Sequence, residues 1–431
     1  MFQTFHKRAV SFIFILTAIF TAQAAAWAQS SSENVVLRWN RVLKETVATP
    51  GMHPGTVMPV RSYAMMHAAM FDAANSVDRD YAAYLVTVPE ARFASPEAAA
   101  AQAAHDVLAA LYPARSGVFA AELSESLNGI DPVRRFLSVR VGKIAAARML
   151  KERANDGWFV TPPAYTLPSS PGNWQPTPPS GAPAAFTHYG NVKPFAIDNA
   201  EHFAPAAPPA MTSARYTASF NEVKALGAVN STVRTADQTQ VAKLWANVGT
   251  PTNFLHVWNN VAATVSEAKG LDTVSRARLF ALINISLHDA LQTTFASKFE
   301  HGLWRPVHAI QYADQDGNPD TEADPAWQSL IVAPPYPSYA GNMAAIGTSQ
   351  ATVLALFFGR DDIAYEHTWD GAGGATRWYA GFNAMADEQE RARVYGGIHF
   401  TFDQEAGQSV GRNVGNYVFQ NLMTPRGRGG R

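Results

Sequence analysis

Prolines are concentrated in one stretch of this chain, between Pro162 and Pro209, which holds 12 of the 27. Proline lacks a backbone N–H and clashes with the preceding helical turn, so this density excludes regular helix there. The same stretch contains Trp174, Tyr189 and Phe195, which are too apolar for a free linker. We therefore predict an ordered belt that lies on the surface of the structure formed by the flanking residues.

The residues on both sides of this belt show helical periodicity. Apolar residues recur every three to four positions over residues 34–156, as at Tyr63, Met66 and Met70, and the same spacing returns from Thr212 to Leu422. Signals for β-hairpins between alternating runs are sparse. The predicted fold class is all-α, with two helical halves that resemble four-helix bundles and the Pro-rich belt between them.

Length and boundaries indicate five segments. The 431 residues correspond to two or three domains of about 150 residues each. We predict a signal peptide over residues 1–28, an N-terminal helical bundle over 29–160, the Pro-rich connection over 161–211, a C-terminal bundle over 212–424 and a Gly/Arg-rich tail over 425–431.

The first 28 residues have the order of a secretory signal peptide. Lys7 and Arg8 precede the apolar run Val10–Phe20, and small residues end the segment near Ala28. The apolar run is shorter than the ~20 residues that span a bilayer, so a signal is favoured over a membrane anchor, and no later stretch reaches spanning length. The expected location is the periplasm or the outside of the cell.

Composition excludes several classes of function. Lys and Arg number 34 against 35 Asp and Glu, so the formal net charge is -1 and the chain lacks the basic footprint of a nucleic-acid binder. Cysteine is absent, which rules out disulfides, thiolate metal sites and Cys nucleophiles. Any metal would need His, carboxylate or hydroxyl ligands.

Two helical stretches carry a similar pattern. Residues 64–73 and 281–290 are apolar runs that each end in an Asp-Ala step, at Asp72 and at Asp289. Two related bundles would produce this echo, and so would chance similarity between amphipathic helices.

Three clusters in the C-terminal half combine charged or polar residues with rigid turns. In the first, Lys298 and Arg305 are seven residues apart, which two helical turns would bring to one face. The second is a Pro-rich loop, 334–343, before a helix predicted from Ala344, and N–H groups at such a helix start favour anions.

In the third cluster, His399 and Asp403 are four residues apart, so the carboxylate can fix the imidazole tautomer, and Arg393 lies six residues upstream. Each cluster also has an ordinary structural explanation, with Lys and Arg in solvent, a capped core histidine and turn glycines. Their joint order indicates instead a pocket for a tetrahedral oxyanion.

In this order and spacing the chain resembles the vanadium-dependent haloperoxidases, which share their fold and oxyanion site with the type 2 phosphatidic acid phosphatases. The family pattern is KxxxxxxRP, then PSGH, then SRxxxxxHxxxD. The first motif is complete from Lys298 to Pro306, and the third from Arg393 to Asp403, with Ala392 in place of Ser. Segments 61–75, 172–179, 189–195 and 277–290 resemble the secreted bacterial group as well.

The resemblance implies a role for each site residue. His399 would bond to vanadium, or accept a phosphoryl group if the ligand were phosphate, and Asp403 would orient it. Backbone N–H groups of Gly341 and Asn342 would donate to the anion, and three cations would neutralise its equatorial oxygens. The implied vanadate-binding set is Lys298, Arg305, Gly341, Asn342, Arg393 and His399.

The second motif departs from the family pattern. Aligned without gaps, PSGH falls on residues 340–343, so Met343 stands where the family has its acid/base histidine. A thioether cannot transfer a proton to or from peroxide, and loss of a general acid/base typically costs ~10²–10⁴-fold in rate. A Gly341→Ser change is expected to return the missing hydroxyl donor.

Two histidines could substitute as the catalytic acid/base. His308 lies three residues after Arg305 and would face the same side if Pro306 opened a helix. His301 lies between Lys298 and Arg305. A lone histidine is nevertheless more often structural.

Three functions remain open. The leading one is an exported haloperoxidase that uses vanadate and hydrogen peroxide to oxidise halide, with a small organic acceptor downstream. The alternatives are an acid phosphatase of the same superfamily, with His399 as nucleophile, and a non-catalytic oxyanion-binding homologue. Neither a nucleic-acid partner nor a membrane span after signal cleavage is expected.

Overall fold

The computed structural model describes residues 33–52, 59–246, 253–369 and 374–427. The predicted signal peptide lies outside the described residues. Thirteen α-helices, four short 3-10 helices and one two-stranded sheet are found within the described ranges, which confirms the all-α fold class.

Five helices precede the belt, and eight follow it among the described residues. The first five are α1 (Val35–Ala48), α2 (Val60–Asp78), α3 (Pro96–Leu111), α4 (Ser116–Ser126) and α5 (Pro132–Glu152). The others are α6 (Ala214–Gly227), α7 (Ala236–Ala246), α8 (Asn253–Ala268), α9 (Thr273–His301), α10 (Pro306–Gln311), α11 (Asn342–Phe358), α12 (Phe382–Tyr395) and α13 (Thr401–Asn421).

Local capping chemistry explains where several of these helices begin. The Ser95 side chain accepts from the N–H of Ala98, and Pro96 occupies the first position of α3. Asp131 and Pro132 act in the same way at the start of α5. Because proline has no N–H to leave unpaired at that position, both helices begin where the sequence places Ser-Pro or Asp-Pro.

Helices α2 and α9 pack against each other at the centre of the protein. Nearly every residue of both is buried, as expected for helices with neighbours on all sides. One hydrophobic core runs from Val35 to Met423 and therefore includes residues on both sides of the belt. A smaller cluster around Tyr216, Trp304 and Phe400 lies under the turns of the C-terminal half.

The similar pattern of residues 64–73 and 281–290 corresponds to two aspartates that make the same kind of hydrogen bonds. Asp72 in α2 accepts the backbone N–H groups of residues 84–86 at 2.7–3.0 Å. Asp289 in α9 accepts those of residues 195–197 at 2.7–3.1 Å. Each carboxylate thus fixes a non-helical segment against its own helix through charge-assisted hydrogen bonds.

The belt is ordered and packed, as predicted. Its described helical content is one 3-10 turn, Tyr189–Asn191, and Trp174, Tyr189 and Phe195 are all buried. Arg153 holds the belt at an internal point, because the guanidinium donates to the carbonyls of Lys193 and Pro194. The belt is therefore part of the folded structure and not a linker.

A buried ion cluster supports this attachment. Asp156 Oδ2 accepts from Nε of Arg61 at 2.7 Å and from Nε of Arg153 at 2.9 Å. All three side chains are almost fully buried, so their charges are compensated mainly by one another.

The sequence pattern does not predict the small sheet. Strand β1 (Tyr365–Thr368) pairs antiparallel with β2 (Thr376–Tyr379), with Tyr365 opposite Tyr379. The connecting sequence contains Asp370-Gly371, a pair typical of hairpins. Each strand is only four residues long, so the alternation is too short to stand out from the surrounding helical pattern.

Within the described ranges, no helix combines the length and the apolar character that a membrane crossing requires.

Candidate active site

The first cluster spans the end of one helix and the start of the next. Helix α9 ends at His301 because Gly302 adopts a left-handed conformation with φ of 57°, and its N–H donates to the carbonyl of Lys298. Lys298 lies in the last turn of α9, whereas Arg305 precedes α10 in extended backbone. The prediction that two helical turns align the two cations is therefore wrong, because the Gly302 turn interrupts the helix.

The belt holds this turn in position. The N–H of Trp174 donates to the carbonyl of Gly302 at 2.7 Å, and the N–H of Trp304 donates to Gly172 at 2.9 Å. A Cβ on Gly302 would lie 2.5 Å from a methyl carbon of Leu167. Glycine is required here both for the positive φ and for the close approach of the belt.

The two cations of the first cluster hold the Pro-rich loop of the second. Lys298 is fully buried, and its Nζ donates to the carbonyls of Ser338 at 2.8 Å and Ala340 at 2.6 Å. Arg305 Nε donates to the carbonyl of Tyr336 at 2.8 Å. These bonds bring together elements that lie about thirty to forty residues apart in the chain.

The ring of Tyr336 lies beside both cations, a contribution that the sequence analysis misses. Lys298 Nζ is 5.4 Å and the Arg305 guanidinium carbon 5.0 Å from its centroid. The face of an aromatic ring carries partial negative charge and attracts cations at this distance. An aromatic residue inside a Pro-rich loop is too common a pattern to indicate this role.

The third cluster supplies an oriented imidazole. His399 lies between α12 and α13, and its Nδ1 is 2.9 Å from Oδ2 of Asp403 in the first turn of α13. Its Nε2 is 3.0 Å from Nη1 of Arg305. A guanidinium can only donate, so Nε2 accepts and the imidazole proton belongs on Nδ1, where Asp403 receives it.

Ser338 is a further site residue that the sequence analysis misses. Its hydroxyl donates to Oδ2 of Asp403 at 2.5 Å, and the N–H of Phe400 donates to the same oxygen at 3.0 Å. With the His399 bond, Asp403 Oδ2 accepts three hydrogen bonds. Ser338 therefore contacts the orienting carboxylate and not the Nε2 of His399, which a nucleophilic serine would need.

Burial and mutual repulsion shift the pKa values of the site. Burial, with the charges of Arg305 and Arg393, lowers the pKa of Lys298 well below its usual value. Burial, followed by the charges of Arg305, Lys298 and Arg393, lowers the pKa of His399 in the same way, so its imidazole is neutral. Burial also lowers the pKa of Arg305 to about 10 and raises that of Asp403 to about 6. The charges of Lys298, Arg305 and Arg393 thus act on one another and on the His399 imidazole.

Two of the cations carry donors that the described protein atoms do not satisfy. Arg305 Nη2 and Arg393 Nε are both buried, and neither has a hydrogen-bond partner among the described residues. Arg393 lies in the last turn of α12, partly buried, and its Nη1 donates to the carbonyl of Trp245 at 3.2 Å. Unsatisfied guanidinium donors beside an imidazole acceptor fit a tetrahedral oxyanion such as vanadate.

The two backbone N–H groups expected to donate to the anion, those of Gly341 and Asn342, have different surroundings. Helix α11 begins at Asn342, two residues earlier than predicted, so the Asn342 N–H belongs to the helix start, where the N–H groups have no acceptor within the helix. The Gly341 N–H instead donates to the carbonyl of Asp403 at 2.7 Å. That bond removes it from the predicted set of anion donors.

Comparison with known proteins finds similarity to vanadium haloperoxidases. Residues 278–427 match the model of the VCPO second helical-bundle domain, a range that contains all three clusters. Vanadium chloroperoxidase from Curvularia inaequalis is 26% identical over 407 residues, which cover 75% of this chain and 66% of that protein, slightly under two thirds of its length. The chain is thus similar to vanadium haloperoxidases, through one helical-bundle domain by the family model and over three quarters of its length by this relative.

Solved haloperoxidase structures share its fold. A bacterial vanadium-dependent iodoperoxidase aligns with a TM-score of 0.77 and 22% identity, over 91% of this chain and 96% of that one. A bacterial vanadium-dependent chloroperoxidase in its holo form aligns with a TM-score of 0.68 and 16% identity, over 87% and 93% of the two chains.

Within this haloperoxidase fold, Met343 lies in the first turn of α11 and is only 4% exposed. Its side chain belongs to the main hydrophobic core. The carbonyl of Met343 accepts from the Gln389 amide at 3.0 Å, and that amide accepts in turn from Trp258 at 2.8 Å. The position is thus packed as core, with an uncharged amide as its polar neighbour.

The structure does not bring His308 into the cluster. Pro306 does open helix α10, as the sequence suggests, but His308 lines a cleft of about 440 Å³ together with Trp304, Tyr312 and belt residues. His301 packs its ring against Tyr339, with centroids 5.5 Å apart, and is half-buried. Neither histidine has a described hydrogen bond to the cations or to His399, because the Gly302 turn and the short α10 point them elsewhere.

Proposed function

We propose that this protein binds vanadate between Lys298, Arg305, Arg393 and His399 and uses it to oxidise halide with hydrogen peroxide. The observation that carries the proposal is the position of the unprotonated Nε2 of His399, 3.0 Å from Arg305 and within the field of three cations. A lone pair surrounded by positive charge is suited to the electron-poor centre of a bound oxyanion.

Each residue of the site would make a different contribution to binding the anion. The Arg305 Nη2 and Arg393 Nε groups have free donors for two anion oxygens. Lys298 uses two of its three N–H groups on the 338 and 340 carbonyls and has one left. Asp403 would keep the His399 proton on Nδ1, so that Nε2 keeps a lone pair, which the anion would take over from the Arg305 Nη1 hydrogen bond.

Vanadate, when bound, would supply the activation of hydrogen peroxide, and overall one halide, one peroxide and one proton would give hypohalous acid and water. The proton must be moved by a group at the site or by water. Met343 cannot titrate, and its amide neighbour Gln389 cannot either. We therefore expect slower turnover than in an enzyme with histidine at this position.

The chemistry of the product indicates what it would react with, and the predicted signal peptide indicates where. Hypohalous acid is a freely diffusing electrophile, so a small organic acceptor is the expected final partner. Export by the predicted signal peptide would place this reaction in the periplasm or outside the cell.

One experiment tests the proposal directly. Orthovanadate binding to the purified protein is measured by calorimetry, and iodide, bromide and chloride oxidation is measured with and without orthovanadate, beside hydrolysis of a phosphate ester. We expect saturable vanadate binding and slow, vanadate-dependent halide oxidation. Arg360→Ala serves as a charge-matched control, because Arg360 pairs only with the exposed Asp362 in the described contacts.

Met343 favours a second candidate, a non-catalytic oxyanion-binding homologue. Binding of vanadate without any halide oxidation would establish this function. Phosphate-ester hydrolysis without halide oxidation would instead establish a phosphatase with His399 as phosphoryl acceptor. Absence of oxyanion binding would overturn all three functions.

A further inference from the structure

Gln404 is a fully buried amide without partners at the edge of the site. It follows Asp403 in the first turn of α13, and its exposed fraction is 0%. Neither its Nε2 nor its Oε1 has a hydrogen-bond partner within the described ranges. Buried polar side-chain atoms are nearly always paired in native proteins, so this amide requires an explanation.

The amide occupies the space that a side chain at position 341 would need. A Cβ built on Gly341 would lie 2.5 Å from Gln404 Nε2 and 2.8 Å from its Cδ. Gly341 immediately precedes α11, a helix of 17 residues whose first N–H groups have no intrahelical acceptor. The Gly341 N–H is tied to the carbonyl of Asp403 at 2.7 Å, so the two positions are held together by backbone.

We propose that the side-chain amide of Gln404 donates an N–H to the oxyanion bound at this site, from the place that a serine side chain at 341 would fill. The inference rests on the oxyanion binding proposed above. An amide is uncharged, so it adds a donor without adding to the repulsion among Lys298, Arg305 and Arg393.

The same amide also offers an acceptor. Gln404 Oε1 is as unpaired as Nε2, and an oxygen that carries a proton would satisfy it. Hydrogen vanadate and hydrogen phosphate have such an oxygen near neutral pH, and sulfate does not. The preferred ligand class is therefore a protonated tetrahedral oxyanion.

Gln404→Met separates binding from packing, because methionine is also unbranched but neither donates nor accepts comparably. Calorimetry with orthovanadate and with inorganic phosphate should show affinities weaker by roughly tenfold or more, the usual effect of a hydrogen bond to a charged group. Thermal unfolding without anion should be unchanged or shifted upward, since the variant no longer buries an unpaired amide. A packing role would move stability down instead.

A swap of the two positions gives an independent test. Contrary to the expectation from the sequence, Gly341→Ser alone should weaken phosphate binding, because the added Cβ would lie 2.5 Å from Gln404 Nε2, closer than it lies to any other group. Gly341→Ser combined with Gln404→Ala should recover most of the lost affinity, since the hydroxyl then occupies the vacated space. Failure of the double variant to exceed both single variants would contradict the proposal.

The remaining outcomes are distinguishable. Normal vanadate and phosphate affinity in Gln404→Met would overturn this inference and leave the proposed function intact. No oxyanion binding by the natural protein would overturn both. Sulfate should bind the natural protein more weakly than phosphate, and this difference should shrink in Gln404→Met; equal phosphate and sulfate affinities in the natural protein would contradict the acceptor role of Oε1.

Discussion

Arg305 donates through Nη1 to Nε2 of His399, and the two atoms are 3.0 Å apart. The nitrogen that faces the cations is thus an acceptor, while Nδ1 carries the proton toward Asp403. This one contact sets the tautomer that an oxyanion centre would need, and it links the first sequence cluster to the third.

Arg393→Ala is expected to weaken vanadate binding by about 1.5–3 kcal/mol, the range for a hydrogen bond to a charged group. Arg393 Nε is buried without a described partner, so the change removes a donor for the anion; it also removes the 3.2 Å bond from Nη1 to the Trp245 carbonyl. Calorimetric titration with orthovanadate measures the effect, and Arg360→Ala is the control. Equal affinity of both variants and the natural protein would remove Arg393 from the site.

Met343→His is expected to raise halide oxidation by ~10-fold or more, because it restores a group that titrates near neutral pH. Vanadate affinity should change little, since the anion is held by other residues. Steady-state halide oxidation at saturating vanadate measures the gain. Met343→Gln is the matched control, polar and of similar length but unable to titrate, and a similar gain in that variant would contradict the acid/base explanation.

His308→Ala is expected to leave both vanadate affinity and halide oxidation unchanged. Its ring lines the cleft beside the belt, with its Nδ1 buried there, and has no described bond to the cluster. The same assays apply, with His301→Ala in parallel. Loss of activity in either variant would identify the substitute acid/base, whereas robust activity that survives both would show that the pocket does not need one.

Vanadate affinity should fall below about pH 6 in a way that depends on Asp403. Burial raises the pKa of this carboxyl to about 6, so it is ionised above that pH and protonated below it. Only the ionised carboxylate accepts a full-strength hydrogen bond from Nδ1 of His399. We expect this bond to raise the affinity of the site for vanadate roughly tenfold. Because the folded pKa is raised, ionisation of Asp403 also costs stability as pH rises from about 4 through about 6.

The ratio of vanadate affinities between the natural protein and Asp403→Asn isolates this effect, because the titration of vanadate itself cancels. We expect the ratio to rise through pH 6. A ratio that is constant from pH 5 to about 8 would contradict the dependence of vanadate affinity on Asp403 ionisation.

Asp156→Ala is expected to lower the free energy of unfolding by about 3–5 kcal/mol, because it leaves two buried arginines without their shared carboxylate. Urea unfolding followed by circular dichroism measures the change. Asp362→Ala, which breaks an exposed pair, should have little effect. A small effect at Asp156 would mean that the belt does not depend on this cluster.

The sequence by itself determined the features that depend on neighbouring residues. Helical periodicity and the absence of strong strand signals predict the all-α class, and the density of proline predicts the belt. The spacing of His399 and Asp403 across one helix start predicts their hydrogen bond. Met343 can be recognised as a departure from the family pattern without any coordinates.

Only the tertiary structure decided how distant segments meet. Gly302 ends α9 because the belt, more than a hundred residues earlier, packs against that turn, so Lys298 and Arg305 are joined by a turn and not by a helix. The Gly341 N–H is taken by Asp403, and Gln404 fills the space above Gly341. Hydrogen bonds across about sixty residues depend on the packing of whole helices, which is information that periodicity and local spacing do not contain.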